Sequence, residues 1–290
     1  MTEAQRPPEH VLTGGNMEPV VRVGDTVRRV AGPWTPAVHV FLAQLAAGGV
    51  GEAPHPLGID DSGREVLTYL PGTILADAPR AVRWSQTMLE QSASLLRRLH
   101  DASEGLARAE HAWRSPTHEP IEVVCHNDFA PYNLLVQGDR LTGVIDFDFA
   151  SPGPRVRDLS YLAYRLVPFA EDALDDSAIS SDERIARLHR LIDAYGIAFD
   201  ASTVLRDAAD RLVELAEFTD ARAAETGRTD LPEHAAMYRR DAVRLIELGT
   251  AQEWHASAQR PPGEQDGQQD HDHAQRNVER GQGSEPGERL

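Results

Sequence analysis

The sequence predicts an α+β fold in two lobes, a small antiparallel β lobe with one helix followed by a larger, mainly helical lobe. Three observations predict it. Short β-branched runs flank Gly24-Asp25 near the start of the chain. The apolar periodicity changes from strand-like to helical after Leu70-Pro71-Gly72. From there to Trp254, most segments carry apolar residues at three- and four-residue spacing, the signature of helices that bury one face. The expected organisation is a first lobe over residues 1–70, a second over 71–257 and a polar tail over 258–290.

Val20-Val21-Arg22-Val23 and Thr26-Val27-Arg28-Arg29-Val30 read as a hairpin about Gly24-Asp25. After Gly32-Pro33, Thr35-Pro36 starts a helix whose Val38, Phe41, Leu42 and Leu45 share a face until Gly48-Gly49 ends it. A second strand pair is expected at Leu57–Ile59 and Glu65–Leu70. A long amphipathic helix should follow, with Val82, Met88, Leu89, Ser92, Leu95, Leu96 and Leu99 on one face. Ile121–Cys125 reads as a buried strand, and Asn133–Val136 with Leu141–Ile145 as a hairpin. Four further helices are expected over 157–166, 181–195, 202–222 and 231–254. The tail beyond them is too polar to bury the surface that would offset its ordering entropy, so it is expected to be disordered.

Composition narrows the function before any motif is read. The net charge is −17, and all 29 basic residues are arginine. A chain this acidic, without a basic stripe, lacks the cations that displace counterions from nucleic acid or bind an anionic membrane surface. No apolar run reaches the roughly 18 residues of a membrane span. Cys125 is the one cysteine, so no internal disulfide can form, and the N-terminus lacks the apolar core of a signal peptide. The expected compartment is the cytoplasm.

The chemistry concentrates between His126 and Asp148. His126-Asn127-Asp128-Phe129-Ala130-Pro131-Tyr132-Asn133 is followed by the hairpin and then by Ile145-Asp146-Phe147-Asp148. Asn133 lies five positions after Asp128, and Asp146 eighteen. Phosphoryl transfer uses such a set, a carboxylate to take the proton of an acceptor hydroxyl and two oxygen ligands suited to Mg²⁺.

This stretch resembles the H-G-D-x-x-x-x-N loop of the aminoglycoside phosphotransferase and choline kinase superfamily, relatives of protein kinases. Asp146-Phe147 resembles that family's metal-binding strand end, Asp158-Leu159 falls at its later D-L-A, and Leu67-Thr68-Tyr69-Leu70-Pro71-Gly72 resembles its adenine hinge. The resemblance implies a bilobal, protein-kinase-like fold and a small-molecule kinase. Its donor would be ATP or GTP with Mg²⁺, and its acceptor a small hydroxylated compound, cationic ones among the candidates. It implies Asp128 as catalytic base, Asn133 and Asp146 as metal ligands, His126 and Asp158 as supports of the loop, and Tyr69 and Leu70 as backbone partners of the base. Leu12-Thr13-Gly14-Gly15-Asn16 would cover the phosphates.

Two departures stand against the family pattern. Its phosphate-contacting strand lysine cannot exist in a chain without lysine; Arg28 fits the register best, with Arg29 as the alternative. The first helix, which should supply a glutamate to pair with that cation, contains no acid. These departures motivate a second reading, a kinase-like nucleotide-binding protein with little or no turnover. The acids Glu171, Asp172, Asp175, Asp176, Glu214, Glu217 and Asp220 in the helical lobe are candidates for attracting a cationic acceptor, against the alternative of a solvated helix face.

Overall fold

The computed structural model describes residues 9–12, 20–173 and 177–258. Thr13–Asn16 of the expected phosphate-covering turn, Asp175 and Asp176 of the acidic run, and the tail after Ala258 lie outside the described residues.

The N-terminal part is a five-stranded antiparallel sheet in the order β1-β2-β3-β5-β4, formed by β1 (Glu9–Leu12), β2 (Val20–Val23), β3 (Thr26–Val30), β4 (Pro56–Ile59) and β5 (Arg64–Thr68). The hairpin is tight because Gly24 adopts φ +60°, a conformation costly for any residue with a Cβ. β3 pairs with β5 so that Arg28 stands opposite Val66 and Arg29 opposite Glu65. Helix α1 (Thr35–Ala47) follows β3 with Pro36 in its first turn, and buries Val38, Phe41, Leu42 and Leu45 completely.

After β5 the chain passes Leu70-Pro71-Gly72 into a second set of elements. A Cβ on Gly72 would sit 3.2 Å from Leu135 Cβ, so this position presses backbone against a neighbouring strand. β6 (Thr73–Ile74), β8 (Leu134–Gln137) and β9 (Arg140–Val144) form one small antiparallel sheet, and β7 (Val123–Cys125) pairs with β10 (Ser151–Gly153) in another. The expected helix from Val82 is two pieces, α2 (Arg80–Arg83) and α3 (Gln86–Ser103). The break is at Ser85, whose side chain caps α3 by accepting from the Met88 N–H at 3.1 Å.

α4 (Arg155–Leu166), α5 (Ser181–Tyr195), α6 (Ala201–Thr226) and α7 (Leu231–Ala258) complete the chain, each within a few residues of its predicted span. α3 packs on α5 and α4 on α6 around a core that includes Leu95, Leu96, Leu99, Leu162 and Leu188. Residues through Gly249 form one compact unit; the remaining described residues are the last turns of α7. None of the helices among the described residues is long and apolar enough to cross a membrane.

Candidate active site

The loop from His126 to Asn133 leaves β7 and is held from beneath by Asp158 at the start of α4. One Asp158 oxygen accepts the N–H of His126 at 2.6 Å and the other that of Asn127 at 2.8 Å. His100 on α3 adds a bond to the same carboxylate at 3.1 Å, and its other nitrogen meets the Tyr195 hydroxyl at 2.7 Å. Asp158, His100 and His126 are fully buried. Burial alone would raise the Asp158 pKa; the hydrogen bond and charge of His100, with His126 and Arg211 nearby, hold it down to about 2. Asp158 thus binds the backbone of the loop it was expected to support, and His100 is a partner that the sequence did not single out.

His126 locks the loop through its ring. Its Nδ1 accepts the Asp128 N–H at 3.2 Å, so Nε2 carries the proton and donates to the Ile145 carbonyl at 3.0 Å. Burial lowers its pKa and keeps this imidazole neutral. Asn127 sits at φ +61°, a conformation that Asn tolerates better than most residues. Its amide donates to the Phe149 carbonyl and Ser151 hydroxyl, while Arg157 and Arg211 donate to its side-chain and backbone oxygens. Phe41 of α1, Phe147 and His126 stack in succession, with centroids 5.6 and 4.6 Å apart, which ties the first helix to the loop.

Asp128 emerges from this frame partly buried. Asn133 Nδ2 donates to its Oδ2 at 2.8 Å and to its backbone carbonyl at 2.9 Å. Tyr132 donates its hydroxyl to Oδ1 at 2.5 Å and also meets the Tyr161 hydroxyl at 2.8 Å. Burial, reinforced by the charge of Asp146, pushes the Asp128 pKa up to about 6, although the Tyr132 and Asn133 bonds and Arg211 pull the other way. At neutral pH the group is an ionised base poised close to its titration.

Asp146, two residues past the end of β9, sits at φ +65°, a second non-glycine residue held in the left-handed region within the site. Its carboxylate is 44% exposed and accepts from Arg29 at 3.1 Å. Arg29 also binds Asp148 at 2.7 Å and Glu65 through Nε. Burial would lower the Arg29 pKa, but Glu65, Asp148 and Asp146 raise it, so the cation is secure.

The register expectation is corrected by one residue: Arg29, not Arg28, points into the site. Successive strand residues face opposite sides of the sheet. Arg28 lies on the other side, bound to Thr26 at 2.7 Å and Asp60 at 3.4 Å. The acid missing from α1 is supplied by the strand opposite. Glu65, 1% exposed, faces Arg29 across the β3–β5 ladder, and α1 reaches it through His39 at 2.9 Å. A cross-strand charge pair would have been the signal for this arrangement. Arg114 completes the cluster, 3.5 Å from Asp148 and stacked over the Trp34 and Phe149 rings.

Tyr69 and Leu70 lie where β5 leaves the sheet. The Tyr69 N–H is donated to the Asp25 carbonyl at 2.9 Å and its ring lies under Arg22. Most acids considered for attracting a cationic acceptor are paired with arginine: Glu171 with Arg240, Asp172 with Arg165, Glu214 with Arg157 and Asp220 with Arg239. A pocket of about 160 Å³ lies against Tyr132, lined also by Arg83, Trp84, Arg165 and Asp172. A larger cavity, about 510 Å³, is lined by residues 107–113, Thr117, Ile121 and Pro152; it shares no residue with the Asp128–Asp146 cluster.

The model of the phosphotransferase enzyme family matches residues 104–206, which include the loop and both metal-ligand candidates. The trifolitoxin immunity protein of Rhizobium leguminosarum bv. trifolii is 31% identical over 199 residues, covering 66% of this chain and 75% of that protein. Among solved structures, a choline/ethanolamine kinase family protein from Mesorhizobium loti superposes with a TM-score of 0.59 at 18% identity, over 86% of this chain and 93% of that one. A spectinomycin phosphotransferase in complex with ADP and spectinomycin gives 0.54 at 12%, over 84% and 93%. At these identities the structural likeness is one of fold, and it is the bilobal kinase-like fold expected from the sequence.

Proposed function

The chain belongs to the phosphotransferase enzyme family, and from that premise we propose that it transfers the γ-phosphoryl group of ATP or GTP to a hydroxyl of a small molecule. The observation that carries the reading is the convergence of Asp128, Asn133, Asp146 and Arg29 on one cluster, with Asp128 bound to Asn133 at 2.8 Å and Asp146 to Arg29 at 3.1 Å.

In this mechanism the Asp128 carboxylate accepts the acceptor's proton as its oxygen attacks the γ-phosphorus in line and the nucleoside diphosphate leaves. His126 and Asp158 hold the loop so that Asp128 arrives in position. Arg29 carries the positive charge toward the phosphates in place of the family's lysine, with a planar fork that can bind two oxygens at once. The Tyr69 carbonyl and Leu70 backbone face the base.

The residues present fit Mg²⁺. Asn133 commits its amide nitrogen to Asp128, which leaves its oxygen as a hard ligand, and the Asp146 carboxylate is half-exposed. The ion would supply charge neutralisation on the nucleotide phosphates.

The pocket beside Tyr132, taken as the acceptor site, would admit a small acceptor. A pocket of about 160 Å³ is well under the roughly 300–1,000 Å³ that enclose drug-sized ligands. Its lining carries guanidinium groups from Arg83 and Arg165 and one carboxylate from Asp172. Because that carboxylate is already paired with Arg165, the pocket offers no uncompensated negative charge to draw a polycation.

The test is release of ADP from Mg·ATP across a panel of small hydroxylated compounds. Turnover should vanish in Asp128→Asn and fall off on the acid side near pH 6, where the base becomes protonated. Turnover that survives Asp128→Asn would sink the base assignment. A weakly active nucleotide-binding protein is the second reading, favoured by the engagement of Arg29 with three carboxylates. Mg-dependent ATP binding without ADP release from any acceptor would support it.

A further inference from the structure

The hydroxyl on the candidate base belongs to the protein itself. Tyr132 leaves the short helical turn Pro131–Asn133 with its side chain folded back, so that its O–H donates to Asp128 Oδ1 at 2.5 Å. This is the bond that an acceptor hydroxyl makes to a general base before transfer. The other carboxylate oxygen accepts from Asn133 at 2.8 Å, so each oxygen of the base already holds one donor, Asn133 on Oδ2 and Tyr132 on Oδ1.

The phenol is braced in that place. Its oxygen also meets the Tyr161 hydroxyl at 2.8 Å, and the Tyr161 ring is buried beneath the Arg211 guanidinium at 4.5 Å. The Tyr132 ring, in contrast, is 37% exposed and forms one wall of the small pocket. A side chain held at its tip and open along its ring can swing away at the cost of two hydrogen bonds, with no core to rebuild.

We propose that Tyr132 is a substrate-mimicking gate: its hydroxyl holds the acceptor position on Asp128, keeps water off the base, and is displaced only by an acceptor hydroxyl. The proposal rests on the phosphotransferase reading above. With acceptor bound, the acceptor O–H proton passes to Asp128, a bond forms from that oxygen to the γ-phosphorus, and the bond from the γ-phosphorus to the bridging oxygen breaks to release ADP. Water in the same place gives inorganic phosphate instead, and Tyr132 suppresses that loss. It is a positioning residue that acts through Asp128.

Tyr132→Phe keeps the ring and removes the donor. Measured with Mg·ATP and no acceptor, phosphate release should rise about tenfold, the order expected for removing one hydrogen bond to a charged group. Tyr161→Phe, which leaves the Tyr132–Asp128 bond in place but removes its brace, should raise phosphate release by a smaller factor. Phosphate release that is unchanged or lower in a Tyr132→Phe protein with the wild-type melting temperature overturns the proposal. If wild-type ADP release still depends on Asp128 in that case, the phosphotransferase reading stands and only the gate fails. No Asp128-dependent release in any variant overturns both.

Discussion

The two sides of the loop from His126 to Asn133 are held by different physics. Beneath it, Asp158, His100 and His126 are fully buried and bound to one another or to the main chain by 2.6–3.1 Å hydrogen bonds. On the side facing the five-stranded sheet, Arg29, Asp146 and Asp148 meet as ion pairs between partly exposed groups from elements far apart in sequence. A dry, satisfied polar network permits one arrangement, since losing any member strands the others away from water. Ion pairs with water access can exchange one anion for another at small cost. The loop is thus anchored where it must not move and left exchangeable where phosphates are proposed to enter.

Removing the anchor gives the largest expected effect. Asp158→Ala would leave the N–H groups of His126 and Asn127 and the His100 ring without their acceptor, at a cost of about 3–5 kcal/mol. Chemical denaturation should show it as a lower midpoint with an unchanged slope. The same group gives the anchor a pH signature. Its pKa is depressed in the folded protein, so its contribution is present above the ordinary value of 3.8 and is lost as pH falls toward 2. Wild type should lose stability through that window, and the Asp158→Ala protein should lose less. Equal acid sensitivity would mean that the anchor is carried elsewhere.

Asp128 has the opposite sign. Its folded pKa is raised to about 6 from 3.8, so folding is favoured with the proton on, and that stability is lost as pH rises through 6. Asp128→Asn should therefore melt higher than wild type at pH 7.5, by the equivalent of about 1–3 kcal/mol, while losing turnover. A base tolerated at the expense of stability differs from an anchor that supplies it, and a lower melting temperature in Asp128→Asn would erase that contrast.

On the exchangeable side the effects should appear in binding. Lysine at position 29 keeps the charge but cannot reach Glu65, Asp146 and Asp148 together, and Glu65→Gln removes the buried acid that orients the arginine. Each should raise the KM for ATP about tenfold, equivalent to about 1.4 kcal/mol, with a smaller change in kcat. A fall in kcat at constant KM would place Arg29 with the reacting atoms instead.

The sequence shows the anchored side better than the exchangeable one. Asp128, Asn133 and Asp158, with Asp146 as the one member of the exchangeable side among them, stand at spacings set by a single loop, hairpin and helix, so local chain geometry brings them together. Glu65 and Arg29 meet only because β3 and β5 pair in one register, and a one-residue slip would turn Arg28 inward instead. His39 and Arg114 depend on packing between separate elements, which periodicity does not report. The elements were legible for the same reason. The 2–3 hairpin and α5 match their expected spans, whereas the two- and three-residue strands β6 and β10 are too short to leave a pattern.

The smallest expected effect isolates that register. Arg28 and Arg29 are adjacent, equally charged and on the same strand, so removing either one changes the net charge identically. Arg28→Ala loses a partly exposed contact to Asp60 and Thr26, and Asp60 keeps its bond to Arg64 at 2.9 Å. Stability should change by about 0.5 kcal/mol and the KM for ATP by less than about twofold. Side by side with an Arg29→Ala protein, which loses the same charge, isothermal titration with a non-hydrolysable ATP analogue separates the two faces of β3. If Arg28→Ala weakens nucleotide binding as much as Arg29→Ala does, binding follows the charge of the strand and not its facing, and the exchangeable cluster loses its claim to specificity.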